Sequence, residues 1–164
     1  MKLLEIYLDD HWAGAGAGRS LARRLARNNA GTDWAWALEE VMGEIEEDDR
    51  TLETIRDRLG VTGGGVKRSL AQVGERVARL KLNGRLVTYS PLSKVLEVEA
   101  LIAGVSAKRL LWTALGEIAA NNPALAGFGF ADLEQRADAQ LATLRRFHRD
   151  AVTEAFAEDG SLRS

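Results

Sequence analysis

The chain has 164 residues, 46% apolar and 28% charged, with a net charge of −2 and no cysteine. That length and balance predict one domain with its own core, and they exclude a disordered chain, a polycationic nucleic-acid binder, a disulfide scaffold and thiolate-ligated metal centres. No apolar run approaches the roughly 20 residues that span a bilayer. The opening "MKLLEIYLDDHW" is broken by Glu5, Asp9 and Asp10, so no signal peptide is expected and the reading is a cytoplasmic domain.

Alanine and leucine dominate, β-branched residues are sparse, and Pro91 and Pro123 are the two prolines. This composition favours helix over strand. Helices are predicted near 2–27, 33–59, 65–83, 91–121 and 131–158, forming a single bundle domain over 1–158 with a frayed tail at 159–164.

The first predicted helix contains "YLDDHWAGAGAG", Tyr7 to Gly18. A phosphate loop would need G-x-G-x-x-G after a strand, or glycine followed by Lys-Ser/Thr. Here the glycines stand at 14, 16 and 18, and no lysine follows them. On a helix, Leu4, Tyr7, His11, Gly14, Gly18, Leu21 and Leu25 share one face. Gly14 and Gly18 then predict a close helix crossing, despite a cost of about 1 kcal/mol per glycine relative to alanine. "RNNAGTD" closes this helix, and Thr32 or Asp33 is expected to cap the next.

In the second predicted helix Leu38, Val41, Ile45, Leu52, Ile55 and Leu59 recur at helical spacing, and Asp48 falls in the one gap. A short turn centred near residue 30 makes the first two helices antiparallel neighbours; His11 lies 19 residues before it and Asp48 lies 18 after. At 1.5 Å rise per residue, both reach nearly the same height. A buried carboxylate requires a partner, so Asp10, His11 and Asp48 are expected to form a polar cluster, with Lys108 or Arg109 as candidate cations. The helix carries ten acids against three arginines, a net of −7. Trp34 and Trp36 are two residues apart and cannot share a helix face. Either they mark the interface of a homodimer at this end, or they anchor the turn.

"LGVTGGG" precedes the third predicted helix, where Lys67, Arg68, Arg76, Arg79, Lys81 and Arg85 face a single Glu75, a net of +5. Without a recognition motif or interleaved aromatics, nucleic acid is not the expected partner. Packing against the acidic second helix, within the chain or between subunits, is. In the fourth, Ser90-Pro91 reads as an N-cap followed by proline at the first position. Glu99 lies between Val95 or Leu96 and Ile102, and Gly104 with Ser106 marks a break or kink. In the fifth, Leu133, Ala137, Leu141, Leu144, His148, Val152 and Ala155 form a stripe flanked by Glu134 and Asp138. His148, among arginines, is expected to be a half-buried helix residue.

A short-turn helix pair, a crossover and a second pair resemble the ferritin-like superfamily, which implies an all-α antiparallel bundle of four to five helices. Metal-binding members hold two metal ions with carboxylates from four helices and Glu-x-x-His on two of them. This chain departs from that pattern, since "EIEEDDRTLE" and "LEQRADAQL" contain no histidine. The resemblance would make Asp10, His11, Asp48, Glu99 and Asp138 ligands for iron or manganese, with oxidoreductase or metal-handling chemistry. The residues themselves favour a buried salt-bridge or hydrogen-bond cluster in a non-enzymatic scaffold or interaction protein that self-associates. A third expectation is an apolar small molecule held between helices.

Overall fold

The computed structural model describes residues 2–61 and 89–158. The predicted helix over 65–83, with its basic residues, and the tail at 159–164 lie outside the described residues. Four α-helices are described: α1 (Lys2–Asn28), α2 (Ala35–Arg58), α3 (Pro91–Ala119) and α4 (Phe130–Glu158). A short 3-10 turn, Pro123–Leu125, precedes α4, and no strand occurs among the described residues.

Local chemistry sets the boundaries. Ser90 Oγ accepts the Ser93 backbone N–H and Pro91 opens α3, as the sequence predicts. At the end of α2, Gly60 adopts φ +69°; its N–H bonds the Asp57 carbonyl and the Val61 N–H bonds that of Arg56. These two bonds satisfy terminal carbonyls by the Schellman pattern, which favours glycine because of the positive φ. The start of α2 differs from expectation. Thr32 Oγ1 accepts the Trp34 N–H and donates to the Asn29 carbonyl, so a side-chain turn occupies 32–34 and the helix begins at Ala35. Nor is α3 broken at Gly104: it is continuous, and the Ser106 hydroxyl donates back to the Ile102 carbonyl.

Ion pairs and hydrogen bonds fix the packing directions. Arg19–Asp49 and Arg23–Glu46 make α1 and α2 antiparallel. Lys94–Glu154, Glu99–His148 and Arg109–Asp138 do the same for α3 and α4. Across α2 and α4, Arg136 meets Glu47 and Trp34 meets Asp150, again antiparallel. Tyr89, just ahead of α3, accepts a hydrogen bond from Asn29 at the α1–α2 turn, while Leu8 near the start of α1 shares a core cluster with Leu111 and Trp112 late in α3. So α3 runs antiparallel to α1 and parallel to α2, and begins at the opposite end of the bundle from where α2 ends.

The core has two large apolar layers, besides a small cluster of Val95, Ala151 and Ala155. One gathers Leu25, Leu38, Val41, Ile45, Val98, Leu101, Val105, Leu141, Leu144 and Phe147. The other gathers Leu8, Leu52, Ile55, Leu111, Trp112, Leu115, Leu125, Phe130 and Leu133. Along the helices the dividing positions are Asp48 on α2, Lys108 on α3 and Arg136 on α4, where Ala137 already belongs to the first layer. The gap in the apolar stripe of α2 is therefore a polar layer between two cores.

Candidate functional site

The polar layer is built on Asp48, which is 1% exposed. One carboxylate oxygen accepts from Lys108 Nζ and, at 3.3 Å, from Gln140 Nε2; the other accepts from Arg136 Nη2. Lys108 also donates to Gln140 Oε1 at 2.7 Å. Gln140 Nε2 reaches Glu44 at 3.0 Å, and Arg136 Nη1 reaches Glu47 at 2.9 Å. Two cations and an amide thus answer one buried carboxylate, which is what a buried charge requires. Burial pushes the Lys108 ammonium below the usual lysine range, and the charge of Asp48 pulls it back up.

A cavity of about 310 Å³ opens beside this layer, between α1 and α3 with α2 as its floor. Its lining includes Asp10, His11, Asp48 and Lys108 together with Ile45, Leu101, Leu111 and Trp112. Gly14, Gly18 and Gly104 also line it, and a Cβ added at any of the three would meet no atom of the described residues within 4 Å. Among the described residues, the close crossing expected at Gly14 and Gly18 is therefore not formed. The glycines of α1 and α3 leave space where the neighbouring helix was expected to sit.

His11 is half-buried, and its ring meets that of Tyr7 edge-to-face at 4.6 Å between centroids. Burial lowers its pKa below the ordinary histidine value, with the Asp10 charge opposing. Of the five predicted residues, Asp10, His11 and Asp48 share this cavity. The other two lie outside it. Glu99 accepts from His148 Nε2 at 3.0 Å on the α3–α4 surface, and Asp138 accepts from Arg109 at 2.7 Å on the same surface.

This donor set does not fit a carboxylate-bridged pair of iron or manganese ions. The only buried carboxylate of the five, Asp48, has both oxygens occupied by the protein's own cations, and Glu99 and Asp138 do not converge on it. Among the described residues no group of three or more His, Cys, Asp or Glu side chains is placed to hold a metal.

Of the two cations the sequence offered, Lys108 and Arg109, only Lys108 meets Asp48, while Arg109 pairs with Asp138; the rest of the layer was missed. Arg136 and Gln140 are one helical turn apart, with Gln140 directly before the stripe residue Leu141. Sequence reasoning also missed Asp9, which is buried against Arg56 at 2.6 Å while the guanidinium stacks over Trp12 at 4.5 Å. Glu97 is a second omission: it pairs with Arg24 at 2.7 Å, and burial raises its pKa above the carboxylate norm against the pull of Arg24.

Trp34 and Trp36 diverge as their spacing requires. Trp34 packs edge-to-face on Phe147 at 5.5 Å and donates from Nε1 to Asp150 at 3.0 Å, whereas Trp36 is 72% exposed. No helix among the described residues is long and apolar enough to cross a membrane. Comparison with protein-family models, with curated proteins and with solved structures finds no match.

Proposed function

We propose that this chain is a ferritin-like helical bundle that acts as a cytoplasmic, non-enzymatic scaffold or interaction protein and self-associates through the end bearing Trp36. The carrying observation is the exposure of that tryptophan, 72%, two residues from Trp34, which is anchored. Exposed tryptophan is costly in water and concentrates at protein interfaces, where truncating a central one costs about 2 kcal/mol or more. Support for the topology comes from the helix directions, with α1–α2 and α3–α4 as antiparallel pairs and α2 parallel to α3. Support for a structural role of the interior comes from the saturation of Asp48 by Lys108, Arg136 and Gln140. In this reading the polar layer selects helix register, because sliding one helix by a turn would strand a buried charge.

Sedimentation equilibrium tests the proposal. The wild-type chain is expected to dimerise, and Trp36→Ser to raise the dissociation constant about thirtyfold, the equivalent of 2 kcal/mol. A wild-type monomer at all concentrations, or a dimer indifferent to Trp36→Ser, would contradict it.

A further inference from the structure

We infer that the surface facing Trp36 in the dimer is the outer edge of α4, so that each copy sets Trp36 and Glu40 against Arg146 and Arg149 of the other. The inference rests on the self-association proposed above and names the surface it uses.

Two strips flank the outer seam between α2 and α4. Trp36, Glu40 and Glu47 recur at helical spacing on α2, and Glu47 accepts from Arg136 of α4 at 2.9 Å. On α4, Arg136, Thr143, Arg146 and Asp150 recur at the same spacing. Arg146 donates to Thr143, and Asp150 accepts from the Trp34 indole N–H at 3.0 Å. Arg149 lies three residues beyond Arg146. The contacts Trp34–Asp150 and Glu44–Gln140 bracket this level, so residues 36–40 of α2 stand opposite 144–148 of α4.

Charge here is unpaired and opposite in sign on the two helices. Glu39 and Glu40 are exposed beside Trp36, as is Asp33 just ahead of it, and none of these acids meets a cation among the described residues. Arg145, Arg146 and Arg149 are exposed on α4, and none meets a carboxylate among the described residues. At other levels the pairs Arg23–Glu46, Arg109–Asp138 and Arg136–Glu47 join neighbouring helices.

A two-fold axis parallel to the helices preserves height and lays α2 of each copy on α4 of the other. The exposed indole of Trp36 then meets the guanidinium groups of Arg146 and Arg149, which favour an aromatic face. Glu40 meets the same two cations. A partner of one charge sign would satisfy one strip and face like charge on the other, whereas a second copy answers both.

The test uses Glu40→Arg and Arg146→Glu in the full chain, followed by sedimentation equilibrium and native mass spectrometry. Each variant alone should keep its helical circular dichroism and raise the dissociation constant at least about tenfold, because the two-fold repeats every like-charge contact. An equimolar mixture of the two should recover wild-type affinity as a heterodimer, since the substitutions then face each other at both contacts. Arg149→Glu, mixed with Glu40→Arg in the same way, repeats the test at the neighbouring arginine. A wild-type dimer that Trp36→Ser weakens and no charge variant does would overturn the α4 assignment while the proposed self-association stands. Variants that weaken the dimer without recovery in either mixture would also overturn it, by placing the pair within one chain. A monomeric wild-type chain would overturn both.

Discussion

Replacing Asp48 by Asn tests how the polar layer is held. Both oxygens of Asp48 sit opposite donors: Lys108 and Gln140 on one side, Arg136 on the other. An asparagine therefore turns its NH₂ group toward a donor whichever way it flips, and it removes the ion-pair partner of Lys108 and leaves Arg136 with Glu47 alone. Breaking a buried pair in this way costs about 3–5 kcal/mol. Lys108 and Arg136 keep 15% and 25% side-chain exposure and can shift toward water, which favours the lower end of that range. A loss of about 3 kcal/mol in a domain of this size lowers Tm by roughly 6–12 °C.

The pH dependence supplies a second readout. The folded-state pKa of Lys108 is already below its unfolded value, so the unfolded chain binds more protons as pH climbs toward the ordinary lysine range, and stability rises with pH there. In Asp48→Asn the group that raises this pKa is gone. The window of rising stability should widen toward neutral pH. Urea denaturation at pH 7 and pH 9, for Asp48→Asn, Lys108→Met and the double variant, measures all of this. A double-mutant coupling of about 1–3 kcal/mol is expected for directly paired groups. If Asp48→Asn changes stability by less than about 0.5 kcal/mol, the range of ordinary surface substitutions, and the coupling is nil, the layer does not hold the bundle.

Other outcomes follow from the same geometry. Leu144→Ala removes a fully buried side chain from the larger apolar layer and should cost about 2–5 kcal/mol in chemical denaturation. Gly104→Ala enters open space on an unbroken helix and should stabilise by roughly 1 kcal/mol; a loss would show that the space is already filled. Glu97 has a raised folded pKa, so stability is lost as pH rises from the ordinary carboxylate range through that value. Glu97→Gln should flatten this part of the pH–stability curve. His11 has a lowered folded pKa, so wild-type stability should fall as pH drops below the ordinary histidine value, and His11→Gln should remove that component.

The sequence made the four described helices, the α2 stripe and its interruption legible because each rests on local periodicity. Leu38, Val41, Ile45, Leu52 and Ile55 are buried, and so is Asp48 between them. Ser90-Pro91 was readable because a cap is a property of four adjacent residues. Reasoning failed where only tertiary placement decides. On α1 the glycines supply no side chains to define a stripe, so the buried acid was taken as Asp10 when Asp9 lies inside against Arg56. Glu99 and Asp138 each sit one residue beyond an inward position, Val98 and Ala137, and the rotation of about 100° per residue carries them to the surface. The stripe drawn on α4 through His148 and Val152 slips by one in the same way; Phe147 and Ala151 are the buried residues. Small residues at Gly14 and Gly18 fit a close crossing or a cavity equally well, and only the position of α3, with its own glycine, separates the two.

Two properties decide the proposal: closure of the interior charge layer by the protein's own cations, and self-association through the surface at Trp36. Native mass spectrometry of the full chain, expressed in medium supplemented with iron and manganese, reads both parts at once. A metal-free dimer is expected, which Trp36→Ser converts to monomer and whose mass per subunit Asp48→Asn changes only by the substitution. A monomer carrying stoichiometric iron or manganese, lost in Asp48→Asn, would contradict the proposal.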